Sequence, residues 1–282
     1  MSPPNRPYPF RLMFGRGPEL TMSPVETVIL GIIEGLTEFL PVSSTGHMIL
    51  ASAAMEIGRE EFVKTFEIAI QLGAILSVLA LYYRRFLVST EIYLKLAVAF
   101  FPTGVIGLLA YKTIKHYLFN PFVVSTALVI GGAALIVLDR WTESREACYD
   151  STDNVSWTGA LLIGLVQCLS MVPGVSRAAA AIFGGLLAGF DRKQATEFSF
   201  LLAIPTMFTA TGYDLLKTSS GFNGDQWTLL LAGGLVAFVS ALIAVKAFIA
   251  FVPRYGFRYF GYYRIVLGAL FLAYSTVTGL SL

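Results

Sequence analysis

Cysteine, histidine and charge are all scarce in this 282-residue chain, which has two cysteines and two histidines. Cys148 falls in a polar stretch and Cys168 in an apolar one, so no disulfide framework is implied. No Cys/His spacing of the zinc-holding kind occurs. Only 13% of residues are charged, and the net charge is +2. With no basic tract interleaved with aromatics, nucleic acid is excluded as a partner. Residues 1–21 lack the apolar core of a signal peptide. Pro3, Pro4, Pro7, Pro9 and Pro18 break any helix there, with Arg6, Arg11 and Arg16 between them. The segment reads as a disordered or added extension, with Met22 as an alternative start.

What the chain has in abundance is apolar surface. It is 56% hydrophobic, with a mean hydropathy of +0.70. Soluble chains are about 45–50% apolar and about 25% charged. Long runs at 62–83, 95–111, 122–138, 198–216, 227–252 and 262–282 approach the roughly 17–25 residues of a spanning helix. They lack period-2 alternation and exceed strand length, so helices are implied. The expectation is an all-α integral membrane protein with about six spanning helices.

A polar break at 139–156 divides the chain into comparable halves, 22–138 and 157–282, and the halves resemble each other. Gly31-Ile-Ile-Glu34-Gly-Leu36-Thr37 precedes Pro41 and Ser44; Gly164-Leu-Val-Gln167-Cys-Leu169-Ser170 precedes Pro173 and Ser176. A one-residue gap pairs Pro41 with Pro173 and Ser44 with Ser176. Downstream, Thr65-Phe-Glu67 resembles Thr196-Glu197-Phe. Weak internal symmetry of this kind is expected of an inverted-topology repeat. The leading segments, 26–40 and 158–172, are short and end at Pro, so two re-entrant helix-loop-helix segments are predicted. Two ordinary short spans would be the alternative. By the placement of Lys and Arg, the side with Arg84, Arg85, Arg140, Arg145, Arg192, Lys193, Arg254 and Arg258 is the cytoplasmic candidate. Arg59, Lys64, Lys112, Lys115 and Lys217 fall opposite.

The polar residues that interrupt this apolar background lie in two clusters, and ionisable groups at membrane depth are functional candidates. In the first, Glu34 and Glu38 are i and i+4, on one helix face. Close carboxylates at low dielectric repel, so one takes up a proton unless a cation, either a metal such as Mg2+ or Arg177, relieves the pair. Ser43, Ser44 and Thr45 then offer three hydroxyls beside Gly46. Such a loop opening onto a helix either cradles phosphate through N–H groups or merely caps the helix. His47 is a proton-shuttle candidate or a structural residue. In the second cluster, Pro173-Gly174-Val-Ser176-Arg177 carries a planar cation suited to phosphate, or to an ion pair with a glutamate. Glu67, Gln71 and Glu197 are expected to bond the two loops from outside.

The segments EGLTEFLPVSSTGH, FEIAIQLGAIL, PGVSR and ATEFSFLLAIP resemble the undecaprenyl pyrophosphate phosphatase family of the bacitracin-resistance type, from Met22 to the C-terminus. The resemblance implies a multi-pass enzyme of the bacterial inner membrane. It would hydrolyse undecaprenyl pyrophosphate to the monophosphate, recycling the lipid carrier of peptidoglycan synthesis, and would require a divalent cation, Mg2+ or Ca2+. It places catalytic roles on Glu38, Ser44, His47 and Arg177, phosphate binding on Ser43, Thr45, Ser176 and Arg177, and metal binding on Glu34 and Glu38. The family often continues after the arginine with Ser-Gly-x-Thr; here Ala178, Ala179 and Ala181 stand in those places. A rival mechanism has Glu38 activate water without a phosphoserine. A rival function is a prenyl-phosphate lipid transporter or flippase. Polyprenyl pyrophosphate and membrane lipids are the expected partners, and a homo-oligomer is left open.

Overall fold

A computed structural model describes residues 22–88, 91–117, 121–143, 147–218 and 222–278. The predicted extension at 1–21 and the orientation residue Arg145 lie outside these, as do the side chains of Lys112 and Lys115. The described residues form α-helices and short 3-10 turns, with no strand.

Helix α1 (Pro24–Thr37) begins at a capping box: the Ser23 amide donates to Glu26 Oε2 at 2.7 Å, and the Glu26 amide to Ser23 Oγ at 3.3 Å. Pro24 at the first helical position is already set for the helix. The chain turns at Pro41 and enters α2 (Ser44–Ala54). Helices α3 (Glu61–Ala69) and α4 (Gln71–Val88) follow, then α5 (Glu91–Tyr117) and α6 (Pro121–Thr142). Beyond the polar break the order is α7 (Trp157–Gln167) with a 3-10 extension (Cys168–Met171), α8 (Arg177–Ala188), α9 (Arg192–Thr218), α10 (Gly224–Tyr255) and α11 (Arg258–Thr278).

Among the described residues, four segments are long and apolar enough to cross a membrane: Glu61–Arg85, Glu91–Leu109, Phe122–Thr142 and Gly224–Tyr255. Of the six runs expected, 198–216 falls in α9 and the described part of 262–282, up to residue 278, falls in α11. Both helices are long, but neither is among these four. Charged and polar residues such as Arg264 break their apolar character. Helices α1 and α7 are different in kind. At 1.5 Å per residue they reach roughly 21 and 17 Å, short of the roughly 30 Å hydrocarbon layer.

Each short helix has two faces. On α1, Val25, Val28, Ile32 and Leu36 are exposed while Leu30, Gly31, Glu34 and Gly35 are buried. On α7, Leu161, Leu165 and Leu169 are exposed while Gly159, Gly164 and Gln167 are buried. Glycine permits the buried sides to approach their partners closely. A Cβ on Gly35 would strike Ala237 O and Ser240 of α10, and one on Gly164 would strike Ala99 O of α5. Helix α1 therefore packs on α10, and α7 on α5. Helices α6 and α11 form the broadest contact, with Gly132 and Gly261 each facing the other's carbonyl. A core of Phe39, Ile182, Phe198, Phe200, Phe248 and Phe257 fills the space behind the turns, with Phe39 edge-on to Phe200 at 5.5 Å.

Candidate active site

Both turns enter their second helix through a serine in a conformation that L-residues rarely adopt. Ser43 has φ 71° and Ser176 has φ 43°. Each serine is an N-cap: Ser43 Oγ accepts from the Gly46 amide at 3.4 Å, and Ser176 Oγ from the Ala179 amide at 3.2 Å. Helix capping, the plainer of the two readings of these hydroxyls, is what their geometry provides. The residues that follow, Ser44 and Arg177, are the first residues of α2 and α8.

Ser43 and Ser176 are 133 positions apart, as are Glu34 and Gln167. No gap is needed between the halves over this stretch. At this constant offset Ser43, rather than Ser44, falls opposite Ser176, and both are N-caps. Ser44 then corresponds to Arg177.

Glu38 joins the two turns. Ser44 Oγ donates to Glu38 Oε2 in a short hydrogen bond, and Arg177 Nη2 lies 3.1 Å from Glu38 Oε1. One carboxylate thus holds the hydroxyl with one oxygen and the guanidinium with the other. Arg177 Nη1 donates to the Ser199 carbonyl at 3.0 Å, and its guanidinium lies 5.6 Å from the Phe39 ring centre. Its Nε is buried without a partner. Of the two readings of Arg177, the ion pair with a glutamate is present in the protein alone.

Glu34 is buried, and neither of its carboxylate oxygens accepts a hydrogen bond. Its charged neighbours are Glu38, Glu67 and Arg177. The equivalent residue in the other half, Gln167, is satisfied differently: Nε2 donates to Thr103 Oγ1 at 3.1 Å and Thr206 Oγ1 at 3.3 Å. Only the first half therefore presents acids. Among the described residues, no group of three or more His, Cys, Asp or Glu is arranged as a metal cage. The orphaned oxygens of Glu34 beside Glu38 nevertheless suit a hard cation that takes its remaining ligands from water and phosphate.

His47 projects from the first turn of α2 toward α11. Its Nδ1 lies 2.8 Å from Ser43 O, and its Nε2 lies 2.6 Å from Tyr263 Oη; the His47 and Tyr263 rings are stacked. Since Nδ1 can only donate to a carbonyl, a neutral ring accepts the Tyr263 hydroxyl proton at Nε2. Thr45 is exposed on the same turn.

The three residues assigned to outer support do not act alike. Glu67 neighbours Ser52, within α2 rather than in the turn that precedes it. Gln71 instead accepts from Thr211 of α9, at 3.5 Å. Glu197 pairs with Arg85 at 3.1 Å, and Arg85 also binds Thr152 and Asp153, so it fastens the polar break rather than a turn. Ser199, through its carbonyl, holds Arg177 in its place. Two residues of α11 escaped the sequence reading: Tyr263, and Arg264, which is fully buried and donates to Pro41 O, Ala127 O and Gly174 O. An arginine inside an apolar run was the available signal for the second.

Apolar helices of spanning length around a buried Ser-Glu-Arg constellation define a multi-pass membrane protein. The sequence model described as "Bacitracin resistance protein BacA" matches residues 27–270, and the chain belongs to that family. A protein of Wolinella succinogenes named undecaprenyl-diphosphatase is 52% identical over 247 residues, covering 88% of this chain and 96% of the relative. Relatives of the same name from Persephonella marina and Aquifex aeolicus are 49% and 46% identical, each covering 90% of this chain and 99% of the relative.

Proposed function

We propose that Ser44, Glu38 and Arg177 carry out phosphoanhydride hydrolysis of undecaprenyl diphosphate, the activity named for the relatives. The single observation that supports this reading is the shared carboxylate of Glu38, which meets the Ser44 hydroxyl with one oxygen and the Arg177 guanidinium with the other. The relatives span nearly the whole chain, so the chain is an enzyme of the phosphatase type rather than a transporter.

In the proposed reaction the terminal phosphate takes the place of Glu38 as the partner of Arg177. Ser44 Oγ attacks the terminal phosphorus. The Ser–O–P bond forms as the bridging P–O bond breaks, and undecaprenyl phosphate leaves with the bridging oxygen. Glu38 accepts the Ser44 proton. Water then cleaves the phosphoserine: its oxygen bonds to phosphorus, Glu38 returns its proton to the departing Ser44 oxygen, and inorganic phosphate leaves carrying the water's protons. Arg177 and the amides of the α2 first turn stabilise charge that develops on the transferring group. The Ser44–Glu38 hydrogen bond favours this route over direct attack by water. Glu34 and Glu38 would hold a divalent cation, Mg2+ or Ca2+. When bound, it supplies charge neutralisation at the pyrophosphate oxygens. Trapping of labelled phosphate on the protein, absent in Ser44→Ala, tests the assignment; a Ser44→Ala enzyme with near-normal turnover would refute it.

The reading extends to architecture. The halves 22–138 and 157–282 are inverted repeats, each led by a re-entrant hairpin, α1–α2 and α7–α8. Three observations support this. The leading helices are too short to span; their exposed residues Val28, Ile32 and Leu36 stand 133 positions before Leu161, Leu165 and Leu169; and α1 packs on the second half as α7 packs on the first. The membrane is the bacterial inner membrane, where the lipid carrier is recycled.

A further inference from the structure

Arg264 is the largest fully buried side chain of the described residues. A charged group at that depth needs compensation. It comes from three carbonyls on three elements: Nη1 to Pro41 O at 3.1 Å, Nη2 to Ala127 O at 3.2 Å, and Nη2 to Gly174 O at 2.9 Å. Pro41 lies in the first turn, Ala127 in α6 and Gly174 in the second turn.

The two turn carbonyls are equivalent, since 41 and 174 differ by the same 133 positions that relate Ser43 to Ser176. Each stands three residues before a site residue, Pro41 before Ser44 and Gly174 before Arg177. The guanidinium therefore spans the two turns at matching points. Being planar, with donors fixed in a fork, it sets the distance and angle between the carbonyls as an ammonium could not. Gly174, at φ 95°, brings its carbonyl into reach in a backbone shape that disfavours a side chain. Gly131 of α6 leaves space for the fork: a Cβ there would press on Arg264 Nη2 and Cζ.

We propose that Arg264 is a positioning residue that fixes Ser44 against Arg177 by gripping the backbone carbonyl three residues upstream of each. It is fully buried and acts through the turns. The inference rests on the Ser44–Arg177 reading of the site. Misplacement of reacting groups by about 1 Å can cost on the order of 100-fold in rate.

The test is steady-state hydrolysis of a polyprenyl diphosphate by purified full-length variants in detergent, with Mg2+ present. Arg264→Lys keeps the charge and loses the fork. Its kcat is expected to fall about 100-fold, with KM within about 3-fold and an unchanged melting temperature. Combined with Arg177→Lys, it is expected to add less than about 3-fold to the loss of the worse single variant, because both disturb one alignment. A multiplicative loss, or a kcat within 3-fold of wild type, would overturn the proposal. Should Arg264→Lys fail to fold, Gly131→Ala decides: it displaces the flexible head of Arg264 without removing it. A roughly 10-fold lower kcat is expected. Gly212→Ala, with nothing within 4 Å of the new Cβ, is the control and should behave as wild type. Wild-type turnover in Gly131→Ala would then refute the role. If Arg177→Lys or Ser44→Ala by itself leaves turnover normal, it is the underlying site assignment that fails instead.

Discussion

Ser44 and Arg177 are separated by 133 positions in the chain yet bind opposite oxygens of one carboxylate, that of Glu38. Each is the first residue of a helix that follows a strained serine. The strain serves the same end in both turns, aiming the next side chain at the Glu38 carboxylate. Arg177 thereby occupies, in one half, the place that the hydroxyl occupies in the other.

Arg177→Lys should retain a charge but lose the fork that binds Glu38 and the Ser199 carbonyl together. A fall of about 100-fold in kcat/KM is expected, in line with losses on removing a transition-state donor. Initial rates across substrate concentration measure it.

Glu34→Gln should raise the divalent cation concentration needed for half-maximal activity by about 10-fold or more, as removal of a charged ligand weakens a hard-cation site. Titration of Mg2+ into metal-stripped enzyme gives the value. An unaltered midpoint would remove Glu34 from the cation site.

Tyr263→Phe removes the hydroxyl that meets His47 Nε2 but leaves the stacked ring. Its effect should be smaller than that of His47→Ala, which also releases the carbonyl of strained Ser43. If Tyr263→Phe is the more damaging of the two, the hydroxyl itself contacts substrate. Comparison of kcat for the two variants separates these roles.

Gly35→Ala should destabilise the fold by about 1–3 kcal/mol, the usual range for overpacking. The new Cβ strikes Ala237 O on α10, a backbone atom that cannot turn aside. Thermal melting in detergent reads the effect, with Gly212→Ala unchanged beside it.

The first cluster was legible because its parts are near neighbours in sequence. Glu34 and Glu38 are one helical turn apart, and Pro41 and Gly46 bound a short loop of hydroxyls. Arg177 could be matched to it by charge, since an arginine among alanines at depth needs an anion. Proline suggested a one-residue gap between the halves, whereas the N-cap serines Ser43 and Ser176 match without one. Glu197 looked like a counterpart of Glu67 from its flanking residues, but a helix surface three residues long carries too little information to say which neighbour it meets. Arg85 meets it instead.

Composition and the length of the apolar runs determined, from the sequence alone, that the chain is helical and membrane-embedded. The cost of burying charge in lipid then singled out the residues worth examining. Those are properties of each segment by itself. Which oxygen of Glu38 faces Ser44, why Glu34 has no donor, and how one arginine from the last helix reaches both turns were decided only in the tertiary structure. Such contacts depend on how α1 and α7 seat against α10 and α5 through glycine. Packing of that kind is a relation between distant segments, and no local pattern encodes it.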